Sequence, residues 1–323
     1  MVIKLKIGLK SNKPNQYLIN KLQETFQDNK NIELVFIDTL DDLADIEVLI
    51  TANITENEIN KAKNLKILYH TYTGINDMPL DLIKERKITL VNTHAHAPIV
   101  ALRAFSLALA LLGRIVELHQ GMTCGNWHGL DGSAKWMPIN NQVCGILGMG
   151  MIGKYIVKYL QPFNVKLATL ERYRNKLTGG NGSYYATVED LCLNSDLVFI
   201  SLPLTKTTTN IITEKILTKM ENKYLVNVGR GELINEKALY NALKHKTLNA
   251  AAIDVWYQYP RQNNITYPSQ YPFQALDNII LSPHCSGNAH NVGKLIADEI
   301  TTNLENFVKR GELTNIVDLA KEY

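Results

Sequence analysis

The strongest constraint on how this chain folds is Val143-Cys144-Gly145-Ile146-Leu147 running directly into Gly148-Met149-Gly150-Met151-Ile152-Gly153. The first five residues, apolar or small, read as a strand buried on both faces. Ile152, Ile156 and Leu160 then recur at a spacing of four, which gives the next helix one apolar face. Each glycine between strand and helix has its own reason. Gly148 allows a tight turn, Gly150 lets the backbone approach a pyrophosphate, and Gly153 lets helix and strand pack closely. The helix N-terminus, through Met151 and Ile152, offers backbone amides to the phosphates. Such a site expects an acid about 20 residues on, at the end of the next strand, to accept from ribose hydroxyls. Glu171 closes the run Val165-Lys166-Leu167-Ala168-Thr169-Leu170. Its charge repels a 2′-phosphate and favours NAD. Arg172 and Arg174 beside it are able to pair with that phosphate, so NADP stays open.

The rest of the chain alternates in the same manner. Residues 3–9, 33–37, 48–51, 66–69 and 88–92 read as strands, and residues 16–27, 56–63 and 80–85 as helices. Pro98 opens a long apolar helix to about residue 120, and 121–140 reads as a loop. Further strands are expected at 165–170, 197–202, 224–228, 251–255 and 279–281, with helices at 153–160 and 235–243. From about His290 one more helix and a short tail follow. Alternation of this kind argues for parallel sheets covered by helices.

Composition narrows the function. Of 323 residues, 46% are hydrophobic and 20% charged, as in a folded globular protein, and the length allows two compact domains. The net charge is only +3 and no dense basic cluster stands out, so nucleic acid is not an expected partner. Cys124, Cys144, Cys192 and Cys285 form no Cys-x-x-Cys pair or metal-ligand pattern. The alternating N-terminus is unlike a secretory signal, and the most apolar stretch, residues 104–113, is too short to span a bilayer. A cytoplasmic protein with no membrane partner is the expectation.

Further motifs lie downstream: Ser201-Leu202-Pro203-Leu204-Thr205, Asn227-Val228-Gly229-Arg230-Gly231, Ala252-Ile253-Asp254-Val255 and Leu281-Ser282-Pro283-His284. In these segments, their order and their approximate spacing, the chain resembles the D-isomer-specific 2-hydroxyacid dehydrogenase family over nearly its whole length. The resemblance implies an α/β protein of two doubly wound domains with the active site in the cleft between them. A Rossmann NAD(P)-binding domain would occupy residues 98–289, and a flavodoxin-like substrate domain residues 1–97 plus 290–323. It also implies a homodimer acting on a small 2-keto or D-2-hydroxy acid. Arg230 would anchor the substrate carboxylate, since a planar guanidinium holds a carboxylate by two parallel hydrogen bonds. His284 would be the acid/base, exchanging a proton with the substrate oxygen. Thr73 and Gly74 would bind the carboxylate through backbone amides. Leu202, Pro203, Thr208, Val228 and Gly229 would join the glycine turn, Glu171 and Arg172 around the dinucleotide, with Asp254 at its nicotinamide end.

The chain departs from the family in three places. Tyr259 stands where the family has a glutamate partner for the histidine; as a catalytic partner its hydroxyl is still able to orient the imidazole, but a neutral partner stabilises imidazolium less than a carboxylate does. His284 is therefore predicted to protonate less readily than in its relatives. Leu102 replaces the glutamate of a Val-Ala-Glu helix opening, and His96 stands where relatives often carry an asparagine facing substrate. If the strand alternates through them, His94 and His96 both face the cleft, and His96 either contacts substrate, helps with proton transfer or merely lines the cleft without catalytic duty. No carboxylate or cysteine completes a metal site with His94, His96 and His284. A second reading stays open: a nucleotide-binding sensor or scaffold with little turnover. The presence of both Arg230 and His284 argues for an enzyme.

Overall fold

The computed structural model describes residues 4–11, 15–127, 129, 132, 134–177, 182–260 and 265–323. Ile3, in the expected first strand, and part of the expected 121–140 loop lie outside these residues. The chain divides into two compact units, Met1–His96 with Ala289–Tyr323, and Ala97–Asn288.

The first unit alternates β1 (Leu5–Lys10), α1 (Gln16–Phe26), β2 (Ile32–Phe36), β3 (Val48–Thr51), α2 (Glu56–Lys61), β4 (Ile67–His70), α3 (Leu80–Glu85) and β5 (Thr89–Val91). Its strands pair in parallel in the order β2-β1-β3-β4-β5, the doubly wound order of flavodoxin-like folds. The continuous apolar runs are explained by burial on both faces. In β3, Val48 and Ile50 pack with Leu18, Leu22 and Phe26 of α1, whereas Leu49 packs with Ile59 of α2 and Ile83 of α3. Asn15 caps α1, and Thr55 with Glu58 forms a reciprocal capping box on α2.

The second unit holds α4 (Ala97–Leu112), α5 (Ile115–Thr123), β6 (Val143–Leu147), α6 (Met151–Leu160), β7 (Lys166–Leu170), β8 (Ser183–Tyr185), α7 (Val188–Leu193) and β9 (Leu197–Ile200). It continues with α8 (Glu214–Leu217), β10 (Tyr224–Asn227), α9 (Glu236–Lys244), β11 (Ala250–Ile253) and β12 (Ile279–Leu281). All seven strands are parallel, in the order β12-β11-β10-β9-β6-β7-β8. Counted from β6 this is the Rossmann order with one strand added at an edge. The chain then returns to the first unit as α10 (Val292–Arg310), whose Ala297, Ile300 and Leu304 bury with the α1 residues.

One expectation is corrected, and one strand is added. The single helix predicted over residues 98–120 is broken at Gly113-Arg114, where Arg114 adopts φ +51° and the two helices bend by 57°. Arg114 is anchored there by Glu117 and by the Lys135 carbonyl, and glycine is a poor residue for holding a helix across the break. β8 was not predicted at all. It has only three residues, Ser183-Tyr184-Tyr185, at the sheet edge, too short to display a period.

Candidate active site

β6 ends where the sheet order reverses, with β7 on one side and β9 on the other. Open parallel sheets bind ligands outside the carboxyl ends of their strands at such a point. Gly148 leaves the strand at φ +113°, and a Cβ there would stand 2.8 Å from the Ser201 carbonyl carbon. A Cβ on Gly153 would collide with the Gly148 carbonyl oxygen. Gly150 differs, because a Cβ there would meet nothing within 4 Å. α6 starts on Gly150 without a side-chain cap, so among the described residues no side chain satisfies the amides of its first turn. Close packing at two glycines, open space at the third and an uncapped helix fit a dinucleotide pyrophosphate.

The β6–β7 register sets Ile146 opposite Thr169, so Gly148 and Glu171 each follow that pair by two residues at the carboxyl ends of adjacent strands. The Glu171 carboxylate accepts from Arg174 Nε at 2.7 Å and Nη2 at 2.8 Å. This pairing holds its pKa below the usual carboxylate value.

The residues that would do chemistry follow β10, β11 and β12, three adjacent strands. After β10, Asn227 accepts from the Gly229 amide at 3.0 Å and donates Nδ2 to the Arg230 carbonyl at 2.8 Å, which bends the loop. Gly231 sits so close to Trp256 that a Cβ would strike its carbonyl. Arg230 Nη1 donates to the Gly229 carbonyl at 2.8 Å, and Nε and Nη2 make no hydrogen bond among the described residues. After β12, His284 sits at φ +51° in a turn held from the neighbouring loop. Asp254, 1% exposed, accepts from the Ser282 hydroxyl, from the Cys285 amide at 3.1 Å and from the Ser286 amide at 3.1 Å. Trp256 Nε1 donates to the Ser282 carbonyl at 2.8 Å. The His284 side chain reaches the surface. Lost hydration, and then the positive charge of Arg230, push its pKa below the ordinary histidine value, with Asp254 opposing.

Tyr259 meets His284 through its ring, at a centroid separation of 5.4 Å. Its hydroxyl accepts instead from the Trp256 amide at 3.1 Å. The neutral partner considered from sequence therefore touches the imidazole by its π-system, which attracts a cation only weakly compared with a carboxylate.

The family model for the NAD-binding domain of D-isomer specific 2-hydroxyacid dehydrogenases matches residues 105–286, more than half of the chain. The chain belongs to this family. It is 28% identical to the glyoxylate reductase of Pyrococcus furiosus over 309 residues, covering 91% of this chain and 90% of that protein. It is 29% identical to the D-3-phosphoglycerate dehydrogenase of Methanocaldococcus jannaschii over 288 residues, 87% of this chain but only 53% of that protein, so it spans about half the length of that relative. Among solved structures, the NAD-dependent formate dehydrogenase of Staphylococcus aureus in complex with NAD superimposes with a TM-score of 0.73 at 26% identity, covering 97% of this chain and 98% of that one.

In this 2-hydroxyacid dehydrogenase family member, several residues predicted around the dinucleotide pack closely against one another through the backbone. The Leu202 backbone lies against both Gly148 and Gly229, and a Cβ on Gly229 would stand 2.8 Å from the Leu202 carbonyl oxygen. Val228 is buried in the core. The Thr208 hydroxyl donates to the Pro203 carbonyl at 2.7 Å and accepts from the Thr205 amide at 2.8 Å, which shapes the loop after β9. Asp254, the residue expected at the nicotinamide end, directs both carboxylate oxygens at the His284 turn and holds it. Ser282 was missed, because a serine 28 residues from its aspartate gives no local signal. No group of three or more His, Cys, Asp or Glu side chains able to hold a metal converges among the described residues.

In the first unit, Thr73 and His96 are brought together. Thr73 Oγ1 donates to the Thr93 carbonyl at 2.7 Å and lies 3.0 Å from His96 Nε2. Its one proton being used, Thr73 must accept, so neutral His96 carries its hydrogen on Nε2 and leaves Nδ1 an acceptor. Burial holds the pKa of His96 below the ordinary value, with the His94 charge adding to the effect. The conjecture that His94 and His96 alternate along a strand is corrected: β5 ends at Val91 and α4 begins at Ala97, so both lie in the connection. Glu299, from α10, pins that connection by accepting from Thr93 Oγ1 at 2.5 Å and the His94 amide at 2.9 Å. Its distance in sequence hid it. The Gly74 carbonyl lies 3.0 Å from Nε2 of the buried His70, which fixes the Thr73-Gly74 turn from behind.

Proposed function

We propose that the protein transfers a hydride between a nicotinamide dinucleotide and a small 2-keto or D-2-hydroxy acid. One observation carries this reading. Arg230, His284 and the glycine turn all follow carboxyl ends of strands in one parallel sheet, Arg230 and His284 after strands that flank β11. Bound at the glycine turn, the dinucleotide supplies or accepts the hydride. Arg230 holds the substrate carboxylate with its free guanidinium edge and polarises the adjacent keto oxygen. In reduction, the His284 imidazolium gives a ring proton to that oxygen as the carbonyl carbon gains hydride. In oxidation, neutral His284 takes the hydroxyl proton. Thr73, Gly74 and His96 are the first unit's substrate-binding residues in this reading, and Tyr259 packs on the imidazole. The homodimer implied by the family resemblance belongs to the proposal and is tested by sedimentation equilibrium.

The test is loss of 340 nm absorbance with a panel of keto acids (glyoxylate, pyruvate, hydroxypyruvate and a bulky aromatic keto acid) with NADH and with NADPH. At least one pair is expected to turn over. Dinucleotide binding with no oxidation across the panel would point instead to a sensor.

The depressed His284 pKa sets a pH dependence. Reduction needs the imidazolium, so kcat/KM for reduction falls as pH rises through the lowered pKa, below the ordinary histidine value. Tyr259→Glu places a carboxylate against the ring, favours the charged form and moves that limb to higher pH. A pH–rate profile that is the same in the wild type and Tyr259→Glu would rule out this account of the pKa.

A further inference from the structure

We propose that the first unit carries a ligand site of its own, a cavity where its strand order reverses, and that this site takes a small alkylammonium ion with Asp38 as the counter-ion.

The sheet order β2-β1-β3-β4-β5 turns back on itself between β1 and β3. α1 packs on one face of the sheet and α2 on the other, so the two helices diverge here and leave a crevice outside the carboxyl ends of the strands. A cavity of about 240 Å³ lies there, lined by residues at or just beyond the ends of β1, β2, β3 and β4 and by α1 and α10. That volume holds roughly eight non-hydrogen atoms at about 30 Å³ each, the share of a water molecule. Leu18, Ile19, Ile50 and Ile296 give it apolar walls. Small-molecule sites are built in this way, mostly apolar with a few polar groups that fix orientation. Thr73, Gly74 and His96, the substrate residues of the proposed function, do not line it.

The charges decide what fits. Lys10, the last residue of β1, is already committed. Its ammonium pairs with Glu58 at 2.5 Å and donates to the Asn53 carbonyl at 3.2 Å, and the paired side chains are only 17% and 12% exposed. The first amides of α1, those of Tyr17 and Leu18, donate to the Asn15 side chain. The helix N-terminus that receives anions at such crevices is therefore occupied by its own cap. Asp38, two residues beyond β2, is different. Its amide donates to Asp42 at 3.1 Å, while its carboxylate makes no hydrogen bond or ion pair among the described residues. With Lys10 balanced by Glu58, Asp38 leaves the wall one uncompensated negative charge. Phe36 and Tyr72 stand in the same wall, and aromatic rings attract cations through their faces. An ammonium head at Asp38 with a short aliphatic tail against Ile19, Ile50 and Ile296 uses all of these features. A carboxylate or phosphate would meet Asp38 with no unpaired cation among the lining residues to offset it.

The test is calorimetric titration of the whole chain with n-butylammonium, butyrate and n-butanol at matched ionic strength, without dinucleotide or keto acid. n-Butylammonium is expected to saturate at one ion per chain with a dissociation constant below about 10 mM. Butyrate should bind at least about tenfold more weakly, and butanol at least about threefold. Asp38→Asn, an exposed change that keeps the shape, should weaken n-butylammonium by about threefold to fivefold. Ala52→Leu fills the cavity from the end of β3 and should remove the saturable signal. Melting temperatures check that both variants fold, and if Ala52→Leu does not, Asp38→Asn decides. No saturation by n-butylammonium, butanol or butyrate binding as tightly, or an affinity unchanged in Asp38→Asn overturns the proposal and leaves the proposed function standing.

Discussion

Replacing His284 with asparagine is expected to lower kcat for keto-acid reduction by about 10²–10⁴-fold, the usual contribution of a positioned acid/base. Asparagine suits the test because it accepts the left-handed backbone that His284 adopts at φ +51°. It keeps a polar group but cannot deliver a proton at neutral pH. The turn should stay in place, since Asp254 and Trp256 hold it through Ser282, Cys285 and Ser286. NADH affinity and melting temperature should therefore stay near wild type while kcat collapses. A variant that retains a tenth or more of wild-type kcat would remove His284 from the mechanism.

The second large effect is expected at Gly153. A methyl group there runs into the Gly148 carbonyl oxygen, backbone against backbone, with no flexible side chain to yield. Overpacking of this sort costs about 1–3 kcal/mol. For a unit of this size that lowers Tm by about 2–12 °C. The shift also moves the turn against which the pyrophosphate would lie, so NADH should bind at least about tenfold more weakly. Gly150→Ala supplies the contrast, because its methyl meets nothing within 4 Å in the protein alone. It should melt like the wild type yet still bind NADH poorly. Melting curves with and without NADH separate the two, and a full NADH-induced rise in Tm in both variants would refute the assignment of this turn.

Whatever repeats locally was readable in the sequence. The α/β alternation, the glycine turn and the acid after β7 are short-range patterns, and the sheets carry them as expected. Polar contacts between distant loops were not readable. Thr93 and Glu299 are 206 positions apart, and Asp254 reaches forward 32 residues to Ser286. Such pairs depend on which strands end side by side, and no period in the chain records that. Tyr259 shows the boundary well. Its identity and its departure from the family are legible in the sequence, but the hydroxyl on the Trp256 amide and the ring on the imidazole depend on how the loops after β11 and β12 meet. The bend at Gly113-Arg114 escaped for a related reason: apolar spacing continues through it while the backbone does not.

The turn that carries His284 is fastened by atoms belonging to the loop after a different strand, and those fasteners grip backbone amides, a carbonyl and the Ser282 hydroxyl, never the imidazole. Apart from the Tyr259 ring, which meets the imidazole, the socket holds its occupant by the backbone alone. Residues that accept a left-handed backbone can be exchanged at this one position without refolding their surroundings, so the chemistry here is open to change in a single step, and the architecture that aims it is inherited intact.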